Sequence, residues 1–203
     1  MSGETPRGRR PAVVLAVLVL LTGVALVALA VYRSGEPATD GPEAGFARDM
    51  STHHAQAVRM SFIVRDRTGD RDVRLLAYDI INTQSAQIGM MTAWLDEWGL
   101  PKADPGGPMR WMSGHADHGG AASTMRGMAT REQLADLEDA SGRAAEVLYL
   151  RLMIAHHRGG VDMAEAVLTL TGHDRVRRLA RTMVDGQRAE VAQMTSMLRS
   201  RNA

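Results

Sequence analysis

The amino-acid sequence predicts an all-α protein: a four-helix bundle made of two repeated helical hairpins, preceded by an N-terminal transmembrane helix. Three observations carry this. The seven prolines stand at 6, 11, 37, 42, 101, 105 and 108, so 46–100 and 109–203 lack the residue that breaks helices. Apolar residues recur at helical spacing, as in Leu76, Ile80, Ile88, Met91 and Leu95. And the chain, shifted by 103 residues, aligns 50–95 with 153–198 without a gap.

The elements follow in order. Residues 1–11 are a short basic tail. Residues 12–32 carry no charge, and 21 residues at about 1.5 Å each span roughly the 30 Å hydrocarbon layer. Arg7, Arg9 and Arg10 precede them, which places the N-terminus in the cytoplasm and the rest of the chain outside. The competing reading is a cleaved signal peptide ending near Ala28-Leu29-Ala30, although a signal-peptide apolar core usually has only about 7–15 residues. Either way the remainder is exported. Residues 33–45 read as a polar Pro/Gly linker. The bundle occupies 46–203, with repeats over 46–98 and 149–200. Its helices are expected at about 46–67, 71–98, 143–170 and 174–200, punctuated by Gly69, Gly99 with Pro101, and Gly172. A crossover over 100–130, rich in Gly, Pro, Met and His, joins the hairpins. A short helix follows it, started by a capping box of Thr130 and Gln133.

Composition narrows the function. The 203 residues are 45% hydrophobic and 23% charged, an ordinary globular balance, and 4% aromatic, which is lean for a β-sandwich. There is no cysteine, which excludes a disulfide scaffold, an iron–sulfur cluster, a thiolate zinc finger and a cysteine nucleophile. Beyond residue 33 the charges nearly cancel, which argues against nucleic acid as partner. Lys102 is the single lysine among many arginines, and no function is drawn from that.

The repeat carries the chemistry. Each copy begins Met-x-x-His-His-x-x-x-Val-x-Met. The first supplies Met50, His53, His54 and Met60, the second Met153, His156, His157 and Met163. On a helix the first Met shares a face with both histidines, and the second lies two turns further along. Methionine as core filler and hydrogen-bonded helical histidines are the metal-free reading. Four imidazoles near one pseudo-two-fold axis need partners if buried, and that favours metal ligation. A second cluster in the crossover holds Met109, Met112, His115, His118, Met125 and Met128. His115 and His118 form H-x-x-H, and the whole cluster reads either as a weaker metal docking or transfer site or as a flexible, oxidation-tolerant loop. His173 reads as a surface or helix-cap residue. Thioether plus imidazole without thiolate is a soft-to-borderline donor set that favours copper, Cu(I) especially. Zinc gains little from Met, and calcium or magnesium would want a clustered oxygen loop that is absent.

These residues resemble a known family. The segments 49–61 and 152–164, with Gln84-Ile88-Met91 and Gln187-Val191-Met194, are similar to the "domain of unknown function 305" family over about 46–200. The resemblance implies a ferritin-like four-helix bundle, secreted or membrane-anchored, with some relatives binding copper in the periplasm. Family members commonly carry an acidic residue just before the motif's last Met. Asp162 stands there in the second copy, but Arg59 replaces it in the first, so the resemblance implies two unequal half-sites.

Di-iron chemistry is disfavoured, because Glu-x-x-His is absent and the first bundle helix, at 46–67, holds no glutamate. No hydrolase or P-loop motif is present. The sequence therefore predicts a membrane-anchored extracytoplasmic copper-binding protein that buffers, sequesters or passes on metal without turnover. The alternative is a metal-free envelope interaction module, self-associating or bound to an envelope protein, with structural or pH-sensing histidines. A copper redox enzyme stands third.

Overall fold

The computed structural model describes residues 9–34, 36–104, 106–112 and 125–202, with side chains of the first helix described over 13–27. The chain falls into two compact units, Met1–Pro37 and Ala38–Ala203. The first unit holds helix α1, Arg9–Ser34, whose Val13, Leu15, Val19, Leu20 and Val27 are more than half exposed. Among the described residues no helix is long and apolar enough to cross a membrane. The structure thus does not establish the span expected at 12–32.

The second unit contains α2 (Pro42–Arg67), α3 (Arg71–Glu97), a single 3-10 turn (Arg110–Met112), α4 (Arg131–Asp139), α5 (Gly142–Leu170) and α6 (Asp174–Ser200). No strand occurs among the described residues. Helix α2 starts earlier than expected and takes in the end of the supposed linker. Pro42 sits at the start of the helix, where its missing N–H is not needed and its fixed φ already suits the helix. The other boundaries follow from local chemistry. The Asp70 carboxylate accepts the Val73 N–H at 2.9 Å. Gly99 takes φ +65°, and the Leu100 N–H returns to the Leu95 carbonyl at 2.8 Å. Thr130 and Gln133 form the reciprocal capping box. His173 occupies the cap position of α6 without capping it; its ring stands edge-on to Trp98, centroids 5.5 Å apart.

Helix α2 packs along α3, α5 along α6, and α2 meets α5 in a central seam. The core comes in two apolar clusters. One gathers Met50, Met91, Leu95, Met163, Val167 and Met183. The other gathers Met60, Val64, Ile80, Leu150, Met153 and Met194. On each of the four long helices a buried polar side chain lies between them: His53 and His54 on α2, Gln84 on α3, His156 and His157 on α5, Gln187 on α6. The bundle is therefore two oily ends separated by a polar layer.

Reciprocal hooks tie the hairpins. The Thr68 hydroxyl donates to Glu146 at 2.6 Å, and the Thr171 hydroxyl donates to Glu43. Both pairs are related by the same 103-residue shift. Arg74 caps the carbonyls of Arg65 and Thr68, and Arg177 those of Leu168 and Thr171, so both hairpin turns close the same way.

The crossover breaks the symmetry. Its first part is latched by the buried Asp49 carboxylate, which accepts the Met109 N–H at 2.7 Å and the Trp111 indole N–H at 2.8 Å. Met109 is held at φ +64°, a conformation non-glycine residues rarely adopt. Trp111 lies on Gly45, where a Cβ would come within 2.3 Å of its ring. The last part is gripped by Gln56, whose amide donates to the Ala129 carbonyl at 3.0 Å and accepts its N–H at 2.7 Å. Gly159 lets the Arg126 carbonyl lie directly against α5: a Cβ at 159 would meet that oxygen at 2.0 Å.

Two alanine substitutions with opposite signs follow. The neighbour at Gly159 is backbone and cannot swing aside, so Gly159→Ala should destabilise by about 1–3 kcal/mol. Gly186 is an exposed helical glycine whose Cβ would meet nothing within 4 Å, so Gly186→Ala should stabilise by up to about 1 kcal/mol. Thermal unfolding of the two variants reads both signs.

Candidate metal centre

Helices α2 and α5 run antiparallel along the seam and bring their histidine pairs to the same level. His53, His54, His156 and His157 are all buried, none more than 1% exposed. His53 and His156 face each other across the seam with ring centroids 3.7 Å apart and planes 31° apart. His54 lies 6.5 Å from His53, and His157 lies 6.2 Å from His156.

Their hydrogen bonds decide which ring nitrogen is free. His156 Nε2 donates to the His53 carbonyl at 2.9 Å, and His53 Nε2 donates to the Arg126 carbonyl at 3.1 Å. His157 Nε2 donates to the Glu190 carboxylate at 2.6 Å, and His54 Nε2 to the Gln87 amide oxygen at 2.7 Å. Backbone carbonyl and carboxylate oxygens only accept, so in the neutral form His53, His156 and His157 carry the proton on Nε2 and the lone pair on Nδ1; His54 does the same with the Gln87 amide oxygen turned towards it. All four Nδ1 atoms are buried and none has a hydrogen-bond partner. A buried, unpaired polar atom costs about 1–3 kcal/mol, and four in one layer call for an explanation.

Electrostatics keep these lone pairs available. Burial pushes the His53 pKa down to about 4, against the pull of the Arg126 carbonyl. Burial, with repulsion from His53, pushes His54 to about 3. Burial, then His53 and the other two rings, holds His156 well below its ordinary value. At neutral pH these three imidazoles are uncharged.

Two glutamines complete the layer. Gln84 Oε1 and both polar atoms of the Gln187 amide are buried without partners. Gly160 makes room for Gln187, since a Cβ there would meet its Oε1 at 2.4 Å. Gln187 and Glu190 stand one turn apart on α6, as Gln84 and Gln87 do on α3.

The thioethers bracket the layer. Met50 and Met163 lie in one apolar cluster, Met60 and Met153 in the other, all essentially fully buried. Among the described residues no three His, Asp or Glu side chains form a single metal cage. The four rings share a level without converging on one point.

Other sequence expectations fare differently. Asp162 is at the surface and pairs with Arg126 at 3.2 Å, and Arg59 pairs with Glu138 at 2.7 Å. The exchange between these positions therefore lies outside the layer. Met109 is buried in the core, with Met112 and Met125 packed against it, so these crossover thioethers are core packing rather than a free docking loop. His115 and His118 lie outside the described residues. Reading from identities passed over Gln87 and Glu190. They occupy equivalent positions in the two copies, and that offset was the signal that marked them.

A sequence profile of DUF305, a domain of unknown function, matches residues 43–198. The chain belongs to the DUF305 family. A DUF305 crystal structure from Streptomyces coelicolor, of a protein described as a candidate for secretion, is 49% identical. That match covers 82% of this chain and 97% of that one, with a TM-score of 0.76. A DUF305 fragment from Deinococcus radiodurans is 37% identical over 77% of this chain and 95% of its own, TM-score 0.65. CopM in its Cu(I)-bound form shares the DUF305 fold at TM-score 0.62 and 22% identity, over 80% of this chain and 98% of its own. No functionally curated protein matches the chain.

Acidification tests the neutral layer in the metal-free protein. Unfolded imidazoles take protons near pH 6.5, whereas His53 and His54 resist to about 4 and 3. Below pH 6.5 the unfolded state binds more protons, so stability is full above that pH and falls as pH drops towards 4. The slope is about 1.4 kcal/mol per pH unit for each such ring. Denaturant midpoints measured from pH 7.5 to 4.5 should fall; a flat profile contradicts the neutral layer.

Proposed function

We propose that this DUF305 chain is an extracytoplasmic copper-binding protein, held at the membrane by residues 12–32, that buffers, sequesters or passes on the metal without turnover. His53, His54, His156 and His157 supply the nitrogens, and Met50, Met60, Met153 and Met163 supply the thioethers. His115 and His118 form a weaker docking site.

The observation that carries this reading is the set of four buried, unpartnered Nδ1 atoms, each on a ring whose Nε2–H is already committed. A metal-ligating histidine typically has this form: one nitrogen bound to a carbonyl or carboxylate, the other turned to the ion. Because burial keeps His53, His54 and His156 neutral, a cation meets little competition from protons at these rings at neutral pH. Imidazole with thioether and no thiolate selects a soft cation. CopM, which shares the fold, has been solved with Cu(I), Cu(II) and silver bound, and that supports the same class of cargo here. For the membrane, the uncharged stretch 12–32 behind Arg7, Arg9 and Arg10 and the exposed apolar side chains of α1 support an anchor with the bundle outside.

The full chain, purified in detergent, is titrated with Cu(I) anaerobically against a competing chelator, and separately with Cu(II) and Zn(II). Copper should bind with Kd well below about 1 µM, an affinity beyond about 8 kcal/mol. Replacing all four histidines with alanine should abolish binding while circular dichroism still reports helix. Met50→Leu with Met163→Leu, which conserves volume, should weaken Cu(I) at least tenfold and leave Zn(II) unchanged. Micromolar or weaker copper binding, or unchanged binding in the histidine variant, favours the metal-free interaction module.

A further inference from the structure

The two copies of the repeat hold their outer histidines with different partners. His157 Nε2 meets the Glu190 carboxylate at 2.6 Å, and His54 Nε2 meets the Gln87 amide at 2.7 Å. Positions 87 and 190 are related by the same 103-residue shift as the histidines, so this is one site built twice with one atom exchanged. Glu190 is partly shielded, its side chain 24% exposed. It is also set apart from the surface ion pairs of this region, where Glu165 is matched by Arg188.

The exchange matters in two ways. A carboxylate only accepts, so it fixes the proton of a neutral His157 on Nε2 and leaves Nδ1 as the lone pair. An amide can turn either its oxygen or its nitrogen to the ring, so Gln87 allows His54 both tautomers. A carboxylate also makes the imidazole a stronger donor and offsets part of an incoming cation's charge. A doubly charged ion gains more from this than a singly charged one, since the Coulomb energy scales with charge.

We propose that Glu190 is a positioning residue that makes the two half-sites unequal, so that the first copper ion goes to the second copy, through His157, and Cu(II) depends on it more than Cu(I). This rests on the reading that the layer binds copper through its Nδ1 atoms. It assigns the order and charge preference within that layer to residues that do not themselves touch the metal.

The test uses the full chain and two reciprocal variants. Glu190→Gln should weaken the tightest Cu(II) step by about 10- to 100-fold and the Cu(I) step by less. Gln87→Glu should create a second tight Cu(II) step. In the metal-free protein, at a pH high enough that the ring is neutral, nitrogen-15 shifts should report His157 as the pure Nε2–H tautomer in the natural sequence and as a mixture in Glu190→Gln. Unchanged Cu(II) isotherms and tautomers in Glu190→Gln, while His157→Ala still weakens binding, overturn the inequality and leave the copper reading standing. Unchanged copper binding in both His157→Ala and His54→Ala removes the copper reading and this inference together.

Discussion

The structure depends on one costly choice: four buried imidazoles are placed in the middle of a helical core that would otherwise be continuous oil. An apolar layer would pack there more simply. Instead His156 borrows the His53 carbonyl, His53 borrows the Arg126 carbonyl, and the outer pair lean on Gln87 and Glu190. Each partner satisfies one ring nitrogen and leaves the other bare. Burial in turn keeps His53, His54 and His156 uncharged. Packing, hydrogen bonding and charge thus all act to present lone pairs, and the apolar clusters above and below supply only thioethers as further soft donors.

The asymmetric parts of the molecule serve the same layer. Residues 125–130 have no counterpart in the repeat, yet they provide the carbonyl that fixes His53. They reach it because Gly127 and Gly159 let two backbones touch and because Gln56 holds Ala129 as a strand partner would. At the other end of the crossover, Asp49 beside Met50 fastens Met109 and Trp111, and burial raises its pKa against the two N–H groups it accepts. The crossover is thereby tied to α2 at both ends, at the residue before the methionine that opens the motif and at Gln56, two residues beyond His54.

How much of this the sequence disclosed follows from what each contact depends on. Helix ends set by glycine, proline and capping side chains were legible, since the signal is local: Gly69, Gly99, Gly172, and Thr130 with Gln133 lie where the chain turns. The start of α2 was not, because Pro42 serves equally in a linker and in a first helical turn. The histidine layer was legible through repetition of identical residues. Gln87 and Glu190 were hidden by being similar rather than identical, although the offset placed them together. The Asp49 latch joins residues some 60 positions apart and leaves no periodic trace. For the same reason Met109 read as one of a loose Met/His cluster in the crossover when it is core.

The reciprocal hooks have a consequence for how such a chain can arise. Thr68 seeks Glu146 and Thr171 seeks Glu43, so each hairpin owns one hydroxyl and one carboxylate, and neither can bond its own. A lone hairpin carrying both groups would find them answered only by a twin lying head to tail. The present polypeptide has the form of such a homodimer, fused tail to head through the crossover. Fusion frees the halves to diverge, as they have at 87 and 190, which an association of identical chains could never do.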